Sequence, residues 1–362
     1  VKKRLRGAVI GYGFIASKGH IPAYLNRQQK QGDVEIVAIA DISPLRRASA
    51  AVALPTAHIY SDYLELLEKE SSDLDFIDIA VPPRDHFKMA SEALTRGLHV
   101  LCEKPLTTSI QEAKLILETA KNARRVIFPC HNYRHAPVIK AIDKIIESGR
   151  LGKIKSVSLI TFRNTHAKGV HEWEKDWRRH TKWSGGGIAM DHGSHSFYLA
   201  FNWLKSYPTS ITAKISNLQP EKYDTEDNLN CVLSFPTGVA NIQLSWTAGV
   251  RKVIYALQGE LGGITVDDDD MEISIIKPTS GADVAQGAVT WHNETLKISS
   301  DWMDASHLNW FDSLFEEFKT AIENDQFAGK QALDAQACVE TINAAYLSAS
   351  DKSREIEMNR AN

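Results

Sequence analysis

Gly11-Tyr12-Gly13-Phe14-Ile15-Ala16 follows the apolar run Leu5–Ile10 directly. A GxGxxA between a strand and a helix can hold a pyrophosphate. Gly11 permits the tight turn, Gly13 has no Cβ to keep phosphate from the backbone, and Ala16 lets the helix sit close to the strand. The helix start adds unpartnered N–H groups and a partial positive charge. Asp41 closes the next apolar run, where a carboxylate can accept from both ribose hydroxyls. Thirty residues separate Gly11 from Asp41, against the usual spacing of about 20. The polar stretch Arg27–Gly32 absorbs the excess as a longer helix and loop. A carboxylate there repels a 2′-phosphate, so the sequence favours NAD, although Arg46 and Arg47 lie close enough that NADP is not excluded. Gly19 and Pro22 predict that the first helix kinks or restarts at Pro22, which makes His20 a polar loop residue before any cofactor contact.

Other clusters read as structure. His166, His171, His180, His192 and His195 match no metal-ligand spacing, and adjacent Asp191 and His192 diverge on a helix, so no metal is expected. Asp267-Asp268-Asp269-Asp270 lacks the glycine and distal glutamate of a calcium loop and reads as a solvated hairpin turn. Trp291, Trp302 and Trp310 read as core or interface residues. The four cysteines, Cys102, Cys130, Cys231 and Cys338, form no CxxC pair and read as reduced thiols of a cytoplasmic protein.

The elements that must position these residues change rhythm near residue 130. Before it, β-branched runs at Leu5–Ile10, Val34–Asp41, Phe76–Val81, Leu98–Cys102 and Val126–Cys130 alternate with helical stripes. One stripe carries Tyr63, Leu64, Leu66 and Leu67, a second Phe87, Ala90, Ala93 and Leu94, and a third Ile110 to Ala120 behind a Ser109 cap. Continuous rather than alternating apolarity indicates strands buried on both faces of a doubly wound parallel sheet. After residue 130, a helix over Val138–Ser148 precedes seven strand-like runs: Lys155–Phe162, Ser210–Ser216, Leu229–Phe235, Val239–Trp246, Lys252–Gln258, Gly263–Val266 and Glu272–Ile276. Helices at His307–Asn324 and Leu333–Ser350 close the pattern. The expected architecture is α/β: a dinucleotide-binding Rossmann domain over 1–130, then an α/β domain over 131–362 with a large, mostly antiparallel open sheet.

Composition narrows the class. The chain has 362 residues, 43% hydrophobic and 24% charged. That suits two domains of about 150 residues each. With 42 basic and 45 acidic residues the net charge is −3, which argues against a general nucleic-acid or anionic-membrane binder. No apolar run approaches the roughly 18 residues of a membrane span. The basic start Val1–Arg6 runs into a glycine-broken segment, which is unlike a signal core. A small polar molecule is the expected partner.

Three further segments complete a pattern: Val81-Pro82-Pro83-Arg84-Asp85-His86, Glu103-Lys104-Pro105, and Gly185-Gly186-Gly187-Ile188-Ala189-Met190-Asp191-His192-Gly193-Ser194-His195. With the glycine turn, Tyr133-Arg134 and the closing Ala345–Ser350, the chain resembles the glucose-fructose oxidoreductase, inositol dehydrogenase and MocA family from about residue 5 to 356. The resemblance implies hydride exchange between a nicotinamide and a sugar, cyclitol or similar carbon. It assigns the catalytic group to Lys104, Asp191 and His195, and cofactor contacts to Pro82, Pro83, His86, Glu103 and Lys104 beside Gly11, Gly13, Phe14, Ile15, Ala16 and Asp41. His86 also caps the helix that follows it in such proteins. It implies a homodimer or homotetramer built on the second sheet. His131, Asn132, Tyr133 and Arg134 read as substrate-side or domain-junction residues, and Trp177, Arg178 and His192 as substrate contacts.

The chemistry agrees with those roles. Oxidising a secondary alcohol needs a proton acceptor titrating near neutrality, and histidine suits. Asp191 and His195 are four residues apart and share a helix face. A lysine after a parallel strand points into the ligand crevice, where its charge favours an alkoxide. One departure stands out: where many members continue DxGxHxxD, this chain has Tyr198. The missing carboxylate argues against a simple inositol or glucose substrate. His192 and the stretch Arg178-Arg179-His180-Thr181-Lys182 suit a phosphorylated or nucleotide-linked sugar. The expected activity is an NAD(P)-dependent oxidoreductase acting on CH–OH groups. The alternatives are a non-catalytic NAD-binding regulator of the same fold and an NAD-dependent glycosidase.

Overall fold

The computed structural model describes residues 4–277, 290–298 and 308–358. The β-branched runs become β1 (Leu5–Ile10), β2 (Val34–Ala40), β4 (Phe76–Ile79), β5 (His99–Cys102) and β6 (Ile127–Pro129), with a short β3 (His58–Tyr60) that carries no apolar signal. They form a six-stranded sheet ordered β3-β2-β1-β4-β5-β6, with every pair parallel. The connecting helices are α1 (Ile21–Lys30), α2 (Pro44–Ala53), α3 (Tyr63–Glu70), α4 (His86–Thr95) and α5 (Ile110–Ala123). Side-chain oxygens of Ser43, Asp62 and Ser109 accept backbone N–H bonds at the starts of α2, α3 and α5. Strand order reverses between β1 and β4, and the crevice of such a sheet opens at the carboxyl ends of those strands.

The predicted break at Pro22 is present. Residues Ala16–His20 form a wide π-helical turn, and α1 proper begins at Ile21 with Pro22 in its first turn. Proline lacks the N–H for an interior helix bond and crowds the carbonyl four residues back, so the turn widens before it.

After α6 (Pro137–Glu147) comes a nine-stranded sheet: β7 (Ile154–Phe162), β8 (Ser210–Ser216), β9 (Asn228–Phe235), β10 (Gly238–Ser245), β11 (Lys252–Gly259), β12 (Gly262–Asp267), β13 (Asp270–Lys277), β14 (Thr290–Lys297) and β15 (Ile356–Glu357). Its order is β14-β13-β12-β11-β7-β10-β9-β8-β15, and β7 with β10 is the one parallel pair among the described strands of this second sheet. Strands β9 and β10 alternate buried and exposed residues, so one face is covered and the other turns outward. Short α7 (Thr181–Ser184) and long α8 (Ile188–Leu204) precede β8. The Asp267–Asp270 segment is the predicted hairpin turn between β12 and β13, with Asp268 at φ 55°.

The last two helices, α9 (Leu308–Glu323) and α10 (Lys330–Ser350), return to the first sheet. The predicted helix start at His307 lies outside the described residues, as does Trp302. Phe315 and Phe318 of α9 pack among Tyr24, Phe76 and Phe128. Lys319 Nζ and the Arg27 guanidinium meet on buried Asp33, at 2.6 and 2.8 Å. Ala332 and Ala335 of α10 belong to the first sheet's core, while Ala337 and Ile342 belong to the second's. Helices α9 and α10 therefore reach back across residue 130 and complete the packing of the first sheet.

Candidate active site

A cleft of about 840 Å³ runs from Asp41 past Gly11 and Gly13 to Lys104, Asp191 and His195. At the glycine turn the predicted roles separate. Gly11 has φ +92°, and a Cβ there would lie 2.6 Å from the Ala80 carbonyl oxygen. A Cβ on Gly13 would meet nothing within 4 Å, since that backbone faces open cleft. Phe14 and Ile15 line the wall. Ala16 does not; it is fully buried beneath the turn, where its small size seats the helix. Asp41 lines the cleft and ties the turn to α2, with Oδ2 accepting from Tyr12 N at 2.7 Å and Oδ1 from Ser43 N at 2.8 Å. Arg46 reaches the rim and donates through Nε to the Tyr12 carbonyl at 2.6 Å, while Arg47 turns back to the Asp41 and Ile42 carbonyls.

Along the next wall, Pro82 lines the cleft but Pro83 and His86 do not. His86 is fully buried, with its ring nitrogens 2.8 Å from the carbonyl oxygens of Val81 and Pro105. It braces the two loops that carry Pro82 and Lys104 instead of touching a ligand, because a ring held between two backbone carbonyls has no edge left for the cleft. The Lys104–Pro105 peptide is cis. Glu103 lines the cleft, its Oε1 accepting from His20 Nε2 at 3.1 Å and its Oε2 from Lys104 N at 3.1 Å. His20 is not a loop histidine: the wide turn carries it into the interior, where Nδ1 also meets Asp78 at 2.6 Å. Burial lowers its pKa, but Asp78 and Glu103 outweigh that and raise it to about 10.

Lys104, Asp191 and His195 meet at the far end. Lys104 Nζ donates to Asp191 Oδ1 at 2.6 Å and to the Asp191 carbonyl at 3.1 Å. Arg178 Nε and His192 Nδ1 approach the same carboxylate at 3.5 Å. Burial raises the Asp191 pKa, but Lys104, Arg178 and His192 together hold it well below the usual range. His195 lies one turn further along α8, stacked on Tyr133 with ring centres 3.9 Å apart, its Nδ1 2.7 Å from the Tyr198 hydroxyl. Burial first, then the Lys104 charge, hold its pKa well below 6.5. This environment disfavours the imidazolium form of His195.

The triple glycine that opens α8 is required by what crowds it. A Cβ on Gly186 would lie 2.0 Å from the Tyr346 hydroxyl, and one on Gly187 would lie 1.9 Å from the Glu226 carbonyl oxygen. The Glu226 carboxylate caps the helix, accepting from Gly187 N at 2.8 Å, Ala189 N at 2.9 Å and the Tyr346 hydroxyl at 2.9 Å. Glu226 was not among the expected residues, because it lies on the segment leading into β9 and no local motif marks it.

Of the expected substrate contacts, Asn132, Tyr133, Trp177, Arg178 and His192 line the cleft. Arg134 does not: its guanidinium donates to Asp334 of α10 at 3.3 Å, which makes it a domain-junction residue. Arg179 points away too, fully buried against Asp227 and the Tyr223 ring. Thus Arg178 alone represents the basic stretch 178–182 at the cleft wall. Sequence reading missed Arg163 at the end of β7 and Arg251 before β11, which line the substrate end. Trp310 is buried against Tyr133, while Trp291 is exposed on β14 and is no core residue. His192 and His195 are neighbours on α8, with ring centres 6.1 Å apart, and His171 lines the same cleft. Among the described residues one trio, His20, Asp78 and Cys130, brings potential ligand atoms within 4.8 Å of one another, but both His20 nitrogens already face carboxylates.

Two family models match this chain. Residues 5–131 match the model described as "Oxidoreductase family, NAD-binding Rossmann fold", and residues 139–265 match the "GFO/IDH/MocA C-terminal domain". An uncharacterised oxidoreductase of Schizosaccharomyces pombe is 30% identical over 280 residues, 75% of this chain and 73% of its own. The D-glucoside 3-dehydrogenase of Escherichia coli is 26% identical over 263 residues, 68% of this chain and 72% of its own. A solved levoglucosan dehydrogenase in complex with NADH shares the fold with TM-score 0.82 at 21% identity, covering 99% of this chain and 100% of that one. No helix among the described residues is long and apolar enough to cross a membrane.

Proposed function

Since this chain belongs to the Gfo/Idh/MocA oxidoreductase family and is an NAD-dependent dehydrogenase with an NAD-binding Rossmann domain, we propose that it exchanges a hydride with a secondary alcohol or ketone carbon of a sugar, cyclitol or sugar derivative bearing an acidic group. The residues present fit a dinucleotide: the open backbone at Gly13 leaves room for a pyrophosphate, and Asp41 stands where ribose hydroxyls would lie. Pro82, Glu103 and Lys104 would flank the nicotinamide. When bound, that group supplies hydride exchange at its C4 carbon.

The protein's own contribution is electrostatic and geometric. The observation that carries the reading is the Lys104–Asp191 pair at 2.6 Å on the cleft wall, one helical turn from His195. The Lys104 ammonium stabilises negative charge on the reacting oxygen. Asp191 aims it and can accept from a neighbouring hydroxyl. Lys104 and His195 are the two groups set to meet that oxygen. Arg163, Arg178 and Arg251 at the same end support a carboxylate or phosphate on the substrate. The outward face of the second sheet, with Val232 exposed, supports a homodimer or homotetramer, and four buried free thiols are compatible with the cytoplasm.

The test is a screen of free, carboxylated and phosphorylated sugars and cyclitols for net NADH formation. Lys104→Ala should lower kcat by roughly 10²–10³-fold with NADH still bound. Retained turnover would remove Lys104 from the mechanism, and equal specificity constants for acidic and neutral forms of one sugar would remove the acidic-group reading. NADH binding without turnover on any substrate would favour the regulator, and glycoside cleavage without net NADH would favour the glycosidase.

A further inference from the structure

Tyr198 lies on α8 three residues after His195 and is completely buried. Its hydroxyl oxygen lies 3.2 Å from the backbone nitrogen of Tyr133 and 2.7 Å from His195 Nδ1. A backbone N–H can only donate, so at Tyr133 the phenol oxygen is the acceptor. The phenol's own hydrogen then has one polar atom within bonding distance among the described residues, His195 Nδ1. That nitrogen must be the acceptor, and in a neutral imidazole the ring hydrogen sits on the other nitrogen. Nε2 has no bond to any described residue, and His195 forms part of the cleft wall.

The surroundings keep the ring neutral. Lys104, His192, His131 and Asp191 are the titratable groups facing it, with Tyr133 and Tyr198 packed on its ring. Asp191 is the one anion of that set, and it is already paired with Lys104 and Arg178. A carboxylate in place of Tyr198 would do the reverse: it would accept from Nδ1–H and leave Nε2 as a bare base.

We propose that Tyr198 fixes His195 in the Nε2–H tautomer, so that His195 donates a hydrogen bond to the reacting oxygen and Lys104 exchanges the proton. Tyr198 is thus a positioning residue acting through the imidazole. In the reducing direction the carbonyl carbon takes a hydride from the nicotinamide C4, the Lys104 ammonium gives its proton to the oxygen, and the C=O bond becomes a C–OH single bond. The Lys104 amine then regains a proton from water, and the oxidising direction is the reverse. His195 keeps its hydrogen throughout and stabilises the oxygen as its charge rises and falls.

The tautomer can be read without cofactor or substrate. In protein labelled with [15N]histidine, long-range 1H–15N correlation spectra distinguish protonated from bare ring nitrogens, and His195→Gln identifies the signal of interest. The expected pattern is a bare Nδ1 and a protonated Nε2 from pH 6 to 8, lost in Tyr198→Phe. A protonated Nδ1 in the parent protein, or an unmoved pattern in Tyr198→Phe, overturns the tautomer. Kinetics test the role, which rests on the dehydrogenase reading. Glutamine can donate but cannot titrate, so His195→Gln should stay within about tenfold of the parent kcat/KM while His195→Leu loses about 100-fold or more. Equal losses overturn the donor role. Absent turnover with the tautomer intact would sink the dehydrogenase reading alone.

Discussion

His20 has a carboxylate against each ring nitrogen, so both must carry hydrogen and the ring is an imidazolium. Its folded pKa of about 10 stands above the unfolded value of about 6.5. The stability it contributes is therefore complete below about pH 6.5 and is lost as pH rises through about 10. His20→Gln should destabilise the protein at pH 7 by about 3–5 kcal/mol, the range for breaking a buried ion pair. Urea denaturation at pH 7 and pH 10 should show that gap shrinking; a constant gap would mean the ring is not charged. None of this was legible in the sequence, because Gly19 and Pro22 mark a loop and the partners lie 58 and 83 positions away. Asp41 was legible, since a strand end followed by an acid is a local pattern. Asp41→Ala should weaken NADH about tenfold and leave NADPH less affected, losing a charge-assisted bond of about 1.5 kcal/mol. Fluorescence titration with each nucleotide checks it, with Asp41→Asn separating the charge from the tie to α2; an unchanged ratio would take ribose selection away from Asp41.

The helix that carries Asp191 and His195 depends on a cap contributed from a different part of the chain. Glu226→Ala should cost about 1–3 kcal/mol through the two helix N–H groups left unpaired. It should also lower kcat/KM while NADH affinity holds, because the damage lies at the substrate end of the cleft. Chemical denaturation and steady-state kinetics on one preparation separate the two effects; a loss of NADH affinity would show that α8 also shapes the cofactor end. Most helices and the central strands were readable because their apolar periods are forced by burial; α2, with Ala50 as its one buried residue, was not. Strands β3 and β14 were not. Each lies at an edge of its sheet, and β14 is exposed along nearly its whole length, so no apolar pattern is imposed on it.

At the scale of the whole molecule, the division near residue 130 follows the change of hydrophobic period, and α9 packs back across it onto the first sheet. Phe315→Ala should cost about 3–5 kcal/mol, and the loss should appear in NADH-linked stabilisation as much as in the second sheet. Thermal melts followed by far-ultraviolet circular dichroism, with and without NADH, should show one shifted transition; two separated transitions would mean that α9 is dispensable to the first sheet. There is a further consequence for the order in which the chain is made. Strands β1 to β6 emerge from the ribosome long before Leu314, Phe315 and Phe318, yet those side chains fill the space beside Phe76 and Phe128. Until α9 arrives, the nascent nucleotide-binding sheet presents an uncovered aromatic face, and it must be shielded or remain unsettled while the second sheet is being translated.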